Sequence, residues 1–362
     1  MWLVPPLRFP EFTKEWKKKA LGDIGEAIIG LTYSPFDVVP SDGTIVFRSS
    51  NIQDGQIDYS DLVRVSKNIK EKIITLENDI LVCARNGSAR LIGKNAILKQ
   101  SDAGNTFGAF MMVYRSSDNP FIHPMLSTRR YFRQVGENLG ARINQITTSD
   151  FNGFEFFFPR DEAERRKIAK IFSLLDERIA TQNKIIERLQ SLMSGIVEKT
   201  FVSTRYAPLQ HYAPIITSGK DKDSGGNYPL YGSTGIIGSV SKPSYTKTAV
   251  LIARVGSIGN VQYVTIPCGI SDNTLIIDAG ENNRFIYYYL NDYNFSHITS
   301  GTTQPLITAS SVKKIAVPII EKQRKKKIIA MMNSIEHKLC NEKHIASLLS
   351  RQKGFLISQM FI

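Results

Sequence analysis

The sequence predicts an α+β chain made of two sheet-containing domains and two long helices, in the order domain, helix, domain, helix. Two segments of about 40 residues carry regular helical apolar spacing and almost no glycine or proline. The stretches before them read as short strands and loops, and both halves end alike. At 362 residues, two domains are also the ordinary expectation.

The first predicted helix runs from about residue 161 to 199 and contains one glycine, Gly195. It follows an apolar strand that ends at Pro159, and proline permits a helix start. Its apolar side chains step by four and three in alternation, which is a heptad seam with one polar break. The seam consists of Ile168, Phe172, Leu175, Ile179, Gln182, Ile186, Leu189, Met193 and Ile196.

The second predicted helix runs from about residue 321 to the end and repeats the first after a strand that ends at Pro318. Every seam position lies 160 positions after its counterpart, and the polar break at Gln182 recurs at Glu342. Since chance would not readily match the proline, the polar break and the end of both segments, the spacing indicates an internal repeat. The second seam consists of Ile328, Met332, Ile335, Leu339, Glu342, Ala346, Leu349, Lys353 and Leu356.

The remaining parts are predicted to form two globular domains, here called head 1 (residues 21–158) and head 2 (residues 205–317). A strand-like run occurs in each head, and Arg, one further residue, Gly and Ser follow it in both. We expect an N-terminal segment before head 1 and a helical segment after each head. These are residues 1–20, 159–201 and 318–362.

The net charge of +13 makes nucleic acid the leading partner, since lysine and arginine neutralise phosphates and release counterions. An anionic membrane surface is the competing explanation and would need a basic amphipathic helix with a bulky apolar face. The sequence shows no signal-peptide pattern and no apolar stretch long enough to span a bilayer, and its three cysteines make no disulfide framework. A reducing, cytoplasmic setting is therefore expected.

Several stretches resemble the specificity subunits of type I restriction–modification enzymes, and the resemblance covers nearly the whole chain. It rests on residues 7–12 with Trp16 and 21–24, the glycine-rich stretch 231–238, the strand end 253–257 and the Gly-Thr-Thr-Gln turn 301–304. The resemblance implies a DNA-binding subunit for host defence, with one target-recognition domain in each head and one half of a split DNA site read by each. It also implies a circular arrangement, in which the helices form an antiparallel coiled coil and the halves are related by a pseudo-twofold.

In that family the helices act as spacer and as docking surface for two methyltransferase (modification) subunits, and motor/endonuclease (restriction) subunits join the complex. The resemblance thus implies a non-catalytic chain without a cofactor, with S-adenosylmethionine, ATP and magnesium on the partner subunits. A helix of about 38 residues is roughly 57 Å long, against about 34 Å for one DNA turn. The heads are therefore expected to reach successive major-groove faces of one duplex.

Polar turns in both heads are the predicted DNA contacts, because arginine suits guanine while asparagine and glutamine suit adenine. Ordinary turn chemistry is the alternative, and Arg254 can instead brace its own loop. Head 1 departs from the family pattern at 47–52 and 142–145, so the heads are expected to read different half-sites. The candidates in head 1 are Arg48, Ser49, Asn51, Arg85, Asn86, Ser88, Arg90, Arg142, Asn144 and Gln145. The candidates in head 2 are Tyr231, Ser233, Thr234, Arg254, Ser257, Asn260, Thr302, Thr303 and Gln304.

Two further patterns favour ordinary explanations over a catalytic or metal site. Residues 87–95 resemble a phosphate-binding loop but are one residue too long and end in Asn where a hydroxyl belongs. His337, Cys340 and His344 share a helix face, yet a structural zinc needs a fourth ligand. Neither is taken as a site, and no metal is expected.

Basic residues open both helices, at 165–167 and 322–327, where they oppose the helix dipole. A solvated helix end is one explanation, and an acidic neighbour, either DNA or a partner subunit, is the other. Near the middle of each helix, the polar breaks Gln182 and Glu342 are expected to meet in a polar layer that fixes the register of an antiparallel pair.

Two rival functions remain open at this point: a self-contained DNA-modifying enzyme, and a scaffold or transcription regulator. Methyl-transfer and cleavage assays on the purified chain would test the first. Neighbouring genes for a methyltransferase and a motor nuclease would argue against the second.

Overall fold

The structure is a computed structural model that describes residues 4–139, 144–301 and 305–362. The chain divides into two compact units. Unit 1 comprises residues 1–181 and 345–362, and unit 2 comprises residues 182–344. Each unit contains one head and parts of both long helices, because each head packs against both. The predicted α+β class and the two long helices are confirmed.

Unit 1 is built from short strands and three short helices before the first long helix. Its strands are β1 (Lys17–Ala20), β2 (Glu26–Ile29), β3 (Val38–Val39), β4 (Thr44–Phe47), β5 (Ile52–Gln53), β6 (Gln56–Ile57), β7 (Val63–Val65), β8 (Ile80–Cys83), β9 (Asn95–Ile97), β10 (Thr106–Phe107), β11 (Met111–Arg115) and β12 (Glu155–Phe158). Its helices are α1 (Asn119–Met125), α2 (Arg129–Asn138), α3 (Thr148–Asn152) and the first part of α4 (Glu162–Thr200).

Unit 2 repeats this plan with fewer strands. Its strands are β13 (Tyr206–Pro208), β14 (Ile215–Ser218), β15 (Tyr228–Gly232), β16 (Gly235–Val240), β17 (Ala249–Ala253), β18 (Val261–Val264), β19 (Gly269–Ile270), β20 (Thr274–Asp278) and β21 (Ala316–Pro318). Its helices are α5 (Leu209–Tyr212), α6 (Asn283–Asn291), α7 (Ala309–Lys313) and the first part of α8 (Lys322–Met360).

The main antiparallel sheets of the two heads match strand for strand. Head 1 has an antiparallel sheet of order β2-β11-β8-β9, and head 2 has the equivalent order β14-β20-β17-β18. A second sheet in each head contains one parallel pair, β4 with β10 in head 1 and β15 with β19 in head 2. In both, a two-stranded ribbon leads into the long helix, β1 with β12 and β13 with β21. The predicted repeat is therefore present in the heads as well as in the helices.

Both long helices contribute side chains to the core of each head. In unit 1, Phe172 of α4 and Phe361, just after α8, pack together with ring centroids 5.7 Å apart, and Phe361 also contacts Phe121. In unit 2, Phe201 stacks on Phe285 at 4.8 Å and shares a core with Met332 of α8. The start of one helix thus lies beside the end of the other, so the pair is antiparallel in each unit, as expected.

A buried carboxylate anchors the N-terminal segment to α4. Glu164 accepts two hydrogen bonds from the Arg8 guanidinium, at 2.6 and 2.8 Å, and one from the indole of Trp16 at 3.2 Å. Both Glu164 and Trp16 are almost fully buried, so these bonds compensate for removing the charge from water. These contacts hold the N-terminal segment of unit 1 to α4, the long helix that follows head 1 in the sequence.

The polar breaks of the two seams meet inside unit 2. The Gln182 amide donates to a carboxylate oxygen of Glu342 and, at 3.2 Å, to its backbone carbonyl. Lys338, one turn earlier on α8, pairs with the other carboxylate oxygen. The predicted polar layer is therefore present, and an ion pair with Lys338 extends it. The pKa of the Glu342 carboxyl is lowered below its ordinary value, mainly by the hydrogen bond from Lys338 and next by that from Gln182.

We predict that replacing both Gln182 and Glu342 by Leu raises the melting temperature, because apolar contacts replace a desolvated polar layer. The gain should widen as the pH falls, because the ionised Glu342 carboxylate stabilises the wild type and that contribution is lost on protonation. The leucine variant should also refold with a mixture of helix registers. Cysteines introduced on α4 and α8 should then form disulfides between positions that do not face each other in the wild type. The exchanged pair, Gln182→Glu with Glu342→Gln, is the control and should refold in register. A lower melting temperature for the leucine pair, or strictly in-register disulfides, would contradict the role in register.

Candidate nucleic-acid interface

Three separated stretches of head 1 meet beside the ends of β4 and β8. The Asn86 amide donates to the Ser49 hydroxyl at 3.1 Å, and the Asn86 N–H donates to the carbonyl of Asn144 at 3.2 Å. Arg85 and Gln145 form an antiparallel backbone bridge. Residues that lie far apart in sequence therefore form one continuous polar rim.

Asn51 does not belong to that rim, and its prediction as a DNA contact is wrong. Its side chain is only 1% exposed. Its amide donates to the carbonyls of Asp58 and Asp61, and its oxygen accepts from the N–H of Arg48 at 2.9 Å. Each hydrogen-bonding atom serves the loop fold, so Asn51 is a buried brace.

Asn86 is also engaged at both ends of its amide. Besides donating to Ser49, it accepts a hydrogen bond from the Ser88 N–H at 3.0 Å. Asn144 donates to the carbonyl of Gly87 at 3.0 Å. The amide keeps a second N–H and a second lone pair, but both of its polar atoms are already fixed in place by neighbouring loop atoms. Loop bracing is the role that its contacts support.

The described arginines of the rim differ in their surroundings. Arg48 pairs with Asp61 at 2.7 Å, which neutralises much of its charge. Arg85 is exposed and lies over the ring of Phe110, with 4.9 Å between the guanidinium carbon and the ring centroid. Arg90 is exposed in a short turn together with Ser88. Arg142 lies outside the described residues.

An open cleft of about 640 Å³ adjoins the rim of head 1. Arg48 and Ser49 are among its polar lining residues, and Tyr33 and Phe110 are its aromatic ones. Its wall is mostly apolar, and serine and arginine residues contribute to it. This combination suits a group that has both a flat apolar face and polar edges.

Head 2 brings together the equivalent loops, which follow β15 and β17. The Asn260 amide donates to the carbonyl of Ser233 at 2.8 Å, and Gln262 donates to the carbonyl of Gly232 at 2.8 Å. Gly256 has a φ of +76°, and a Cβ added there would lie 3.1 Å from the Ser233 hydroxyl. A larger residue at 256 would be strained and would press on the neighbouring loop, so glycine lets the loops approach.

The other candidates of head 2 occupy the same rim where they are described. Arg254 is half-buried, and its Nε is buried with no hydrogen-bond partner among the described residues. Thr234 and Ser257 are exposed, whereas Tyr231 is half-buried and packs against the small apolar cluster of head 2. Thr302, Thr303 and Gln304 lie outside the described residues.

The first basic helix start is occupied by internal contacts. Arg165 pairs with Asp118 at 2.9 Å, Arg166 pairs with a glutamate one turn earlier on α4, and Lys167 pairs with Glu11. These partners provide the acidic neighbours from within the chain, so DNA is not needed to explain this run.

The second basic helix start is only partly occupied. Lys325 donates to the Asn282 side chain at 2.7 Å, and burial lowers its pKa. Arg324 donates to the carbonyl of Thr200 at 3.3 Å. Lys326 and Lys327 are exposed, so this end carries the more accessible positive charge.

Metal-like and membrane-like features do not appear in the part of the chain that the structure describes. Among residues 4–139, 144–301 and 305–362, no three His, Cys, Asp or Glu side chains are grouped as a metal site would require. His337, Cys340 and His344 lie on an exposed helix face. None of the described helices combines the length and apolar character needed to cross a membrane.

Sequence reasoning missed Phe110 and Gln262. Phe110 does not belong to a polar turn of the kind used to choose candidate DNA contacts. Its position directly before the apolar strand β11 was the only feature of the sequence that could have drawn attention to it. Gln262 lies within β18, where alternation suggested only a strand residue. Both matter through contacts between distant loops, which local patterns do not reveal.

The family description "Type I restriction modification DNA specificity domain" matches residues 13–191 and again residues 211–350. Together the two matches cover most of the chain, and most of one head lies in each. The chain belongs to this family. The duplicated match also agrees with the repeat that the seam spacing indicated.

Members of the family and solved structures resemble this specificity-domain chain to different extents. The specificity subunit of the type I restriction enzyme StySPI from Salmonella potsdam is 27% identical over 188 residues, 49% of this chain and 40% of that protein. A putative type I specificity subunit from Mycoplasma genitalium is 23% identical over 322 residues, 80% of this chain and 82% of that protein. The crystal structure of the S subunit of the type I restriction–modification system from M. genitalium superimposes with a TM-score of 0.70 at 20% identity, covering 99% of both chains. The fold is therefore shared, although the match spans well under half of the StySPI subunit.

For this specificity-domain chain, we predict that Asn51→Ala lowers the free energy of unfolding of unit 1 by about 1–3 kcal/mol, because it leaves buried partners unsatisfied. Urea unfolding followed by tryptophan fluorescence reports on unit 1, since Trp16 is buried in its core and the sequence of unit 2, residues 182–344, contains no tryptophan. Ser88→Ala is the control, and this exposed position should change stability by less than about 0.5 kcal/mol. Equal effects of the two substitutions would return Asn51 to the list of surface residues.

Proposed function

We propose that this chain is the non-catalytic, sequence-specific DNA-binding subunit of a type I restriction–modification complex, with each head reading one half of a bipartite site. One observation carries the proposal. Each head has its own polar rim, formed where loops that follow equivalent strands come together. These strands are β4 and β8 in head 1 and β15 and β17 in head 2. A rim that presents hydroxyl, amide and guanidinium groups from several loops is suited to reading base edges.

The charge of the chain supports DNA as the ligand. A net charge of +13 favours a polyanion, and exposed Lys326 and Lys327 add accessible charge at the start of α8. Phosphate contacts supply most of the affinity without reading sequence, whereas the rim loops supply the discrimination. The different chemistry of the two rims gives each head its own half-site.

The long helices set the spacing between the half-sites and offer docking surfaces. A slip of one heptad shifts one helix along the other by about 10 Å, so a fixed register matters for the accepted gap. The layer of Gln182 and Glu342 is suited to penalise such a slip. In this proposal, two methyltransferase subunits dock on the helices and motor/endonuclease subunits complete the complex. S-adenosylmethionine, ATP and magnesium bind to those partners, and the assembly works in the cytoplasm.

The proposal predicts that the two heads are exchangeable parts. Replacing residues 209–317 by the second head of another member of the family should change one half of the recognised site and leave the other half and the gap intact. Binding to duplexes that carry all four combinations of old and new half-sites measures this. The replacement leaves α4 and α8 in place, because both helices lie outside the exchanged range.

A matched control carries the reverse exchange, with head 1 replaced and head 2 retained. It should alter the opposite half-site. If either exchange altered both half-sites, or if neither parent protein preferred any sequence, the assignment of one head to one half-site would be wrong.

A further inference from the structure

We propose that Phe110 is a positioning residue that holds Arg85 for a bidentate contact with a guanine in the half-site of head 1. This inference rests on the proposed function and deepens it, because it names one base and the side chains that read it. Arginine is suited to guanine, whose O6 and N7 are two acceptors side by side in the major groove.

Phe110 controls both the backbone and the side chain of Arg85. Its carbonyl accepts hydrogen bonds from the N–H groups of Ala84 and Arg85, at 3.0 and 2.9 Å. Its ring lies under the guanidinium, with 4.9 Å from the ring centroid to the guanidinium carbon. Phe110 therefore positions both the backbone of Arg85 and its guanidinium group.

The ring holds the guanidinium without consuming its donors. A hydrogen-bonded or ion-paired arginine loses donors to its partner, as Arg48 does with Asp61. A guanidinium stacked on an aromatic face keeps its in-plane N–H groups available. Within the described residues, Arg85 makes no side-chain hydrogen bond or ion pair. The ordering of a long side chain is then partly complete before DNA binds, which lowers the entropy lost on binding.

The ring of Phe110 is exposed at the rim of the cleft. Its side chain is 57% exposed at the rim of the cleft, next to Ser49. A phenylalanine in the core of head 1, such as Phe107, is fully buried. What distinguishes Phe110 from other exposed apolar side chains is its place beneath the Arg85 guanidinium, where its face stays open to a ligand. A DNA base edge or sugar above Arg85 would cover that face.

Head 2 lacks this platform, although its backbone arrangement is equivalent. There the carbonyl of Asn273 accepts the N–H of Arg254 at 2.9 Å, in the place that Phe110 occupies in head 1. Asparagine has no ring to hold a guanidinium, and Arg254 is half-buried. The stacked arginine is therefore a property of head 1, and it gives a physical reason for different half-sites.

The test uses the full chain, assembled with the partner subunits where these are needed for solubility. Duplexes that bind are first selected from a random pool, and each guanine of the selected site is then replaced by 7-deazaguanine, which lacks the N7 acceptor. One guanine should respond in the wild type, with binding weakened about 5- to 100-fold. The variants are Phe110→Ala, Phe110→Leu, Phe110→Tyr and Arg85→Lys.

Phe110→Ala and Phe110→Leu should weaken binding to the guanine duplex and reduce the penalty for 7-deazaguanine to less than about 3-fold, because an unheld arginine discriminates less. Phe110→Tyr should retain the wild-type penalty, because it keeps the aromatic face. Arg85→Lys should lose it, because an ammonium cannot form the planar fork. Phe132→Ala is the control, since Phe132 is 47% exposed on α2 and does not line the cleft; it should leave the penalty unchanged.

The outcomes separate this inference from the proposed function. If the wild type enriches no sequence, the proposed function itself fails. If it enriches a site in which no guanine responds to Arg85→Lys, the assignment of Arg85 is overturned. If Phe110→Leu keeps the full guanine penalty, the ring acts only as apolar surface and the positioning role is overturned.

Discussion

The antiparallel pairing of α4 and α8 is the interaction on which the rest of the structure depends. Neither head closes its core from its own strands and short helices alone. Unit 1 needs Phe172 and Phe361 from the two helix ends, and unit 2 needs Phe201 and Met332. Because seam positions recur after 160 residues, equivalent side chains reach equivalent places in each core. Folding of a head and pairing of the helices are therefore coupled.

This coupling leaves the loops at the rims free to vary. The main antiparallel sheet has the same strand order in both heads and contributes to the core of each, whereas the residues at the two rims differ. Head 1 presents a stacked arginine beside an apolar cleft, whereas head 2 presents glycine-rich turns held together by amides. A scaffold repeated twice with different loops is a simple physical means to read two different sequences.

Much of the helical framework could be predicted from the sequence, and much of the rim could not. The seams were visible because a heptad period is a local property, and the partnership of Gln182 with Glu342 followed from the repeat and the antiparallel arrangement that the family resemblance implies. The salt bridge from Lys338 was also accessible, since it lies one turn from Glu342 on the same helix. The parallel pairs β4 with β10 and β15 with β19 were not, because they join strands separated by tens of residues. For the same reason, the partners of Asn51 and Asn86 and the platform at Phe110 were missed or misassigned.

In the proposed function, one chain reads a split site through two separate heads. The decisive measurement maps N6-methyladenine across the genome of cells that express this chain together with type I modification subunits, and compares it with cells that lack only this chain. We expect methylation at one bipartite motif, in which two short half-sites are separated by a gap of fixed length and unspecified sequence. This methylation should disappear in cells without the chain. Methylation at a single continuous motif, or a motif that persists when the chain is absent, would contradict it.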